Sequence, residues 1–154
     1  MSDQGHEARA DDAAEAAASA RGLADDGWHR EHARVGWIDT DAGARIHFTV
    51  AFRWAEMAEV GLRRRLGLTG DWAHYPRRRV EAEFLRVLVF DDEVEIQLRP
   101  ERVGRTSITY IWRVTSRGEL CITGRHTCVR VDDTGRPTPL PDEIRAGLAP
   151  LVAT

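Results

Sequence analysis

One change of hydrophobic period constrains the fold of this chain more than any other feature. Small and apolar residues of the segment 48–68 recur at helical spacing on one face: Ala51, Ala55, Ala58 and Leu62. From residue 80 to residue 131 apolar and polar residues instead alternate, as in strands with one buried face. This order predicts an α+β fold in which an antiparallel sheet of about five strands wraps around a central helix.

The alternating segments place the strands and their connections. We predict strands at 29–39, 80–88, 92–103, 107–115 and 119–131, the last four following one another in the sheet like a meander. The connections 103–105 and 116–118 are short enough for hairpins. Gly124 is a candidate bulge, and Pro141 with Asp142 predicts a short closing helix.

Composition divides the chain into a tail and one domain. Residues 1–27 are rich in Ala and Asp, with seven acidic residues and two arginines, which predicts a disordered acidic tail. Residues 28–154 are then one domain. The sequence has no apolar run of about 18 residues and no apolar stretch near its start, so we expect a cytoplasmic protein without a membrane span. A net charge of −3 predicts no nucleic-acid partner.

Residue usage excludes several chemistries. All 22 basic residues are arginines, so neither a lysine Schiff base nor a P-loop lysine is available. Two cysteines, Cys121 and Cys128, lie too far apart along one strand to form a disulfide, and no zinc-ligand spacing surrounds them. We therefore expect two buried thiols and no metal.

The chemistry is concentrated between the first strand and the helix. Asp39 and Asp41 lie there, and Asp41 is followed within a few residues by the predicted helix start. The free N–H groups of a first turn stabilise a nearby carboxylate and can polarise a carbonyl, as an oxyanion site does. Ordinary helix capping explains the same position.

Two motifs carry a resemblance to a known family. The segment 35–59 matches a strand, an Asp-x-Asp loop and a helix with an aromatic and an acidic residue, at Asp39, Thr40, Asp41, Ile46, Phe48, Arg53, Trp54 and Glu56. The segment 80–110 matches the strands that follow. Over residues of about 28–145 the chain resembles the 4-hydroxybenzoyl-CoA thioesterase-like proteins, which have the hot-dog fold.

The resemblance implies a thioesterase acting on an acyl-CoA or an acyl-carrier protein, with no cofactor. Asp41 matches the catalytic carboxylate, acting as nucleophile or general base, and the Phe48 backbone N–H matches the group that polarises the thioester carbonyl. Substrate contacts are expected from His47, Val50, Ala51, Glu56, Arg105 and Ser107. We expect a homodimer or homotetramer, because a second copy would cover the exposed sheet edge.

The chain departs from the family pattern at two places. Ala44 stands where the family has a loop glycine, and Val50-Ala51 replaces a common Asn-Tyr pair. Two alternatives therefore stay open: an acyl-binding protein without hydrolysis, and a dehydratase or cyclase in which His47 works with Asp41.

Overall fold

The structure is a computed structural model that describes residues 26–153. Most of the tail predicted for residues 1–27 lies outside the described residues. The elements follow in the order β1 (His29–Arg34), α1 (Thr49–Arg65), β2 (Arg77–Phe84), β3 (Glu93–Val103), β4 (Ser107–Ser116), β5 (Glu119–Val129) and α2 (Asp142–Leu148). No helix within residues 26–153 is long and apolar enough to cross a membrane.

The central helix forms where the period of 3.6 predicts it. Ala51, Ala55 and Ala58 are at most 1% exposed, because their small side chains let α1 lie close to the sheet. The helix ends at Arg65, and Gly67 follows it in the left-handed conformation at φ 70°. The predicted α+β hot-dog architecture, a five-stranded antiparallel sheet around one helix, is confirmed.

The strand order corrects the predicted meander. The sheet runs β1-β3-β4-β5-β2, so only β3, β4 and β5 are sequential neighbours, and β2 pairs with β5 at the far edge. Residues 85–92 connect β2, at one sheet edge, to β3, which lies next to the opposite edge strand β1: the Leu85 N–H donates to Cys121 O at 2.8 Å, and the Val35 N–H donates to Asp92 O at 2.9 Å. An alternating pattern shows which face is buried but not which strand lies alongside.

Two predicted strands have different bounds. The first ends at Arg34, not residue 39, because Gly36 begins a 3-10 turn, Trp37–Asp39, whose Asp39 carboxylate accepts the Gly36 N–H at 2.8 Å. The strand predicted at 80–88 is β2, Arg77–Phe84, whose pairing ends where Phe84 faces Ile122.

Gly124 is not a bulge. It faces Ala82 and Trp112 in regular register, and the irregularity lies instead where Val114 and Thr115 face Ile122 and Leu120. Gly124 makes room for an aromatic ring, since a Cβ atom there would lie 2.1 Å from Cζ2 of Trp112. The two cysteines are buried and unpaired, as predicted.

Gly124→Ala is expected to lower the free energy of unfolding by about 1–3 kcal/mol, the usual cost of overpacking a core. The added methyl displaces the Trp112 ring, which is 1% exposed. Urea denaturation measures the change. Gly70→Ala is the matched control, because nothing lies within 4 Å of its added Cβ. Equal stability of the two variants would contradict the expected clash.

Candidate active site

The loop that carries Asp41 is a small hairpin between β1 and α1. Thr40 and Ile46 form an isolated bridge, and the Asp41 N–H donates to Arg45 O at 2.8 Å. Asp41 is exposed near the tip, where its Oδ1 accepts the Gly43 N–H at 2.8 Å. Its other carboxylate oxygen has no hydrogen-bond partner in residues 26–153, so it is free to meet a water or a substrate.

The tip of this loop holds a non-glycine residue in a glycine conformation. Ala44 has φ 59°, and its N–H donates to Asp41 O at 3.0 Å. The left-handed region costs an alanine roughly 1–2 kcal/mol because its Cβ crowds the backbone. The glycine that the family pattern has at this position therefore matches the conformation found.

Ala44→Gly is expected to raise the unfolding free energy by about 1 kcal/mol and Tm by about 2–4 °C, because it removes this crowding. Differential scanning calorimetry measures the change. Ala42→Gly in the same loop is the control. Ala42 does not have a positive φ, so a glycine there only adds conformational freedom to the unfolded chain. An Ala44→Gly variant no more stable than Ala42→Gly would show that the loop stores no strain.

The Phe48 N–H at the start of α1 is free in the described part of the chain. The Val50 N–H donates to His47 O at 3.0 Å and the Thr49 N–H to His47 Nδ1 at 3.3 Å, so His47 caps the helix. No acceptor in the described part of the chain takes the Phe48 N–H. That group can therefore polarise a substrate carbonyl, as expected of an oxyanion site.

Three of the predicted site residues belong to one segment of the chain, and the others lie elsewhere. Asp41, His47 and Phe48 share the loop and the helix start. Val50 and Ala51 follow immediately but are 4% and 0% exposed, packed in the core. Their role in substrate binding stays a prediction.

Glu56, Arg105 and Ser107 lie farther from Asp41. Glu56 is exposed on α1, about 10 Å along the helix axis from Thr49. Arg105 and Ser107 belong to the β3–β4 hairpin, at the opposite end of β3 from the Asp41 loop. Because a strand rises about 3.4 Å per residue, that end is about 30 Å away. Within one chain, this hairpin does not reach Asp41.

A buried polar cluster was missed by the sequence analysis. The Glu59 carboxylate, 4% exposed, lies 2.8 Å from Nε2 of His126 and 2.7 Å from Nη2 of Arg77. Burial by itself raises the pKa of Glu59, but the His126 hydrogen bond and the Arg77 charge outweigh it and hold that pKa below its usual range. The sequence signal for this cluster was Glu59 itself, an acidic residue next to Ala58 on the buried face of α1.

Two clefts in the described part of the chain are not lined by Asp41. One cleft, of about 220 Å³, lies beside the buried cluster, and another, of about 360 Å³, lies against the adjoining ends of β1 and β3. Among residues 26–153, no group of three or more His, Cys, Asp or Glu side chains could hold a metal ion.

An exposed apolar rim flanks the loop and the helix start. We define it as Trp37, Ile38, Phe48, Val87 and Phe90, which are 77%, 89%, 59%, 59% and 49% exposed. The Trp37 and Phe90 rings meet edge to face at 5.3 Å. Large apolar side chains clustered at the surface mark an interaction site.

Comparison with known proteins assigns the family. The family model of the thioesterase-like superfamily matches residues 9–148. The chain belongs to this superfamily. The resemblance inferred from the loop and strand motifs is thereby confirmed. No curated protein matches the chain significantly.

Solved structures of thioesterases share the fold. A predicted thioesterase from Bacillus stearothermophilus is 25% identical, with TM-score 0.74, covering 82% of this chain and 98% of that one. A thioesterase from Thermus thermophilus, complexed with coenzyme A and Zn, is 30% identical, with TM-score 0.72 and coverage of 79% and 92%. A 1,4-dihydroxy-2-naphthoyl-CoA thioesterase from Synechocystis is 14% identical, with TM-score 0.69 and coverage of 79% and 96%. Membership of this superfamily supports a thioester hydrolase.

Proposed function

We propose that the protein hydrolyses the thioester of an acyl-CoA or an acyl-carrier protein to a carboxylic acid and a thiol. One observation carries the proposal: an unengaged carboxylate oxygen of Asp41 and the unengaged Phe48 N–H belong to one short loop and helix start. A nucleophile or base and an oxyanion donor are the two groups that this reaction needs. CoA is the first choice of thiol, because the Thermus thermophilus relative is complexed with it.

The chemistry follows from these two groups. The Phe48 N–H donates to the thioester carbonyl oxygen and stabilises the negative charge that develops there. Asp41 either removes a proton from the attacking water or attacks the carbonyl carbon itself, forming an anhydride that water then hydrolyses. In both routes the C–S bond breaks, the thiolate leaves and takes up a proton, and one water is consumed.

His47 is proposed as a substrate contact, not a base. Its Nδ1 lies 3.3 Å from the Thr49 nitrogen and 2.7 Å from Thr49 Oγ1, which leaves Nε2 as the ring nitrogen available for a substrate contact. No hydrogen bond joins the side chains of His47 and Asp41 in residues 26–153, so we favour hydrolysis over a dehydratase in which His47 exchanges protons with Asp41.

A second copy of the chain is proposed to complete the site. The apolar rim is exposed, so nothing in the described residues encloses an acyl group bound there. The outer edge of β2 has no partner strand in residues 26–153. Pairing through this edge would cover the rim and could bring the Arg105 and Ser107 of a partner toward the substrate. Sedimentation should give a mass of at least twice the 17.3 kDa chain; a monomer at assay concentration would contradict this arrangement.

Thiol release by the purified full chain tests the activity. Aromatic, short and long acyl-CoAs, and the same acyl groups on a carrier protein, are compared in an assay with a disulfide reagent. Cys121 and Cys128 are buried, so the folded protein contributes little to the signal. We expect one acyl class to be hydrolysed. No thiol release from any substrate by folded protein would reject hydrolysis in favour of acyl binding.

A further inference from the structure

Arg53 has no part in the proposed chemistry, yet its side chain reaches back from α1 to the loop that carries Asp41. Its guanidinium donates to Oδ1 of Asp39, and this is its one polar partner within residues 26–153. We propose that Arg53 is a positioning residue, which through Asp39 holds the loop 39–47 at a set place relative to the start of α1. The inference rests on the proposed function of Asp41 and Phe48.

Asp39 joins three parts of the site. Its Oδ2 accepts the Gly36 N–H at 2.8 Å, which fixes the entry to the loop. Its backbone carbonyl accepts the His47 N–H at 2.8 Å, which fixes the exit beside Phe48. Its Oδ1 accepts a hydrogen bond from the guanidinium of Arg53, which lies one turn into the helix. Asp39 is 8% exposed, so little water competes for these bonds.

The pair also sets the local charge. A carboxylate without its cation would stand beside the helix start and oppose the negative charge that develops on the substrate carbonyl. The Arg53 guanidinium neutralises Asp39 and leaves Asp41 as the loop carboxylate without a cationic partner in the described residues. Arg53 thus affects the reaction through two other residues, without touching the substrate.

If Arg53 had only a structural role, its loss would change the free energy of unfolding rather than kcat. The Arg53 side chain is 60% exposed, and an exposed ion pair contributes about 0–1 kcal/mol to stability. The core face of α1 holds the helix on the sheet without Arg53. Losing Arg53 should therefore change kcat much more than it changes unfolding.

The test combines steady-state kinetics with amide exchange. Arg53→Ala should lower kcat by about tenfold or more while KM stays within about twofold, because misplacement by about 1 Å is costly to reaction and not to binding. Arg53→Lys should recover part of the loss. In an Asp41→Asn background, Arg53→Ala should cause a smaller loss than in the wild type, because the part that acts through Asp41 is already absent. Amide exchange of peptide 39–47 should rise about tenfold in Arg53→Ala.

Arg125→Ala is the matched control, because Arg125 is 46% exposed and pairs with Glu101 and Glu81 on the outer sheet face. It should leave kcat and exchange of peptide 39–47 unchanged. An Arg53→Ala variant with wild-type kcat, or with an equal loss in the Asp41→Asn background, would overturn the inference. If the wild type hydrolyses no thioester, the proposed function fails, and unchanged exchange in Arg53→Ala would overturn the positioning role separately.

Discussion

Replacing Asp41 by asparagine is expected to lower kcat/KM for thioester hydrolysis by at least about a hundredfold, the usual contribution of a positioned base. The substitution removes the charge and the basicity but keeps an oxygen to accept the Gly43 N–H, so the turn at the loop tip is retained. Because Asp41 is exposed, we expect Tm to be unchanged. Thiol release from the acyl thioester that the wild type hydrolyses measures the loss.

Asp133→Asn is the matched control for Asp41→Asn. Asp133 is exposed in the turn after β5, and its side chain makes no hydrogen bond or ion pair in residues 26–153. Full activity is expected from this variant. An Asp41→Asn variant that keeps more than about a tenth of the wild-type rate would remove Asp41 from the mechanism, whatever the wild type hydrolyses.

Single turnover in ¹⁸O-labelled water tests whether Asp41 acts as the nucleophile. Attack by the carboxylate places the label in the Asp41 side chain after one turnover when water opens the anhydride at the aspartyl carbon. Attack by an activated water places the label in the released acid alone. Mass spectrometry of peptide 39–47 distinguishes these results.

Replacing Glu59 by glutamine is expected to lower the free energy of unfolding by about 2–4 kcal/mol, because breaking a buried ion pair leaves its partner uncompensated. The partner here is Arg77, whose guanidinium lies 2.7 Å from Glu59 and is 32% exposed. His126, 3% exposed, loses a charged acceptor as well. Urea denaturation at pH 7 measures the change.

The lowered pKa of Glu59 also gives a pH dependence. As the pH falls, the unfolded chain protonates this carboxyl near its ordinary pKa of about 4.5, and the folded protein protonates it only at a lower pH. Glu59 therefore stabilises the fold above that pH, and its contribution disappears as the pH falls through the lower folded-state pKa. The difference in stability between wild type and Glu59→Gln should shrink as the pH falls below about 4.5.

Glu56→Gln, one turn earlier on the same helix, controls for this measurement. Glu56 is exposed and makes no hydrogen bond or ion pair in the described residues. Its substitution should change the unfolding free energy by less than about 0.5 kcal/mol. Similar losses of unfolding free energy from Glu56→Gln and Glu59→Gln would contradict the expected stabilisation by the buried Glu59 ion pair.

The sequence by itself determined the features that neighbouring residues create. The alanine face of α1, the hairpins at 103–107 and 116–119 and the closing helix α2 follow from local periods and turn residues. The candidate site belongs to this class, since Asp41, His47 and Phe48 lie within eight positions of one another. A short loop that leads directly into a helix start keeps its groups within a few residues of one another, and contacts such as the Arg53–Asp39 pair then set their exact placement.

Only the tertiary structure decided the features that distant residues share. Glu59 meets Arg77 across 18 positions and His126 across 67, and no local pattern pairs an acid on a helix face with a strand histidine. The placement of β2 beside β5, and the distance of Arg105 from Asp41, likewise depend on which strands become neighbours. The alternating period encodes the buried face of each strand, and the partner is set by the packing of the whole sheet around α1.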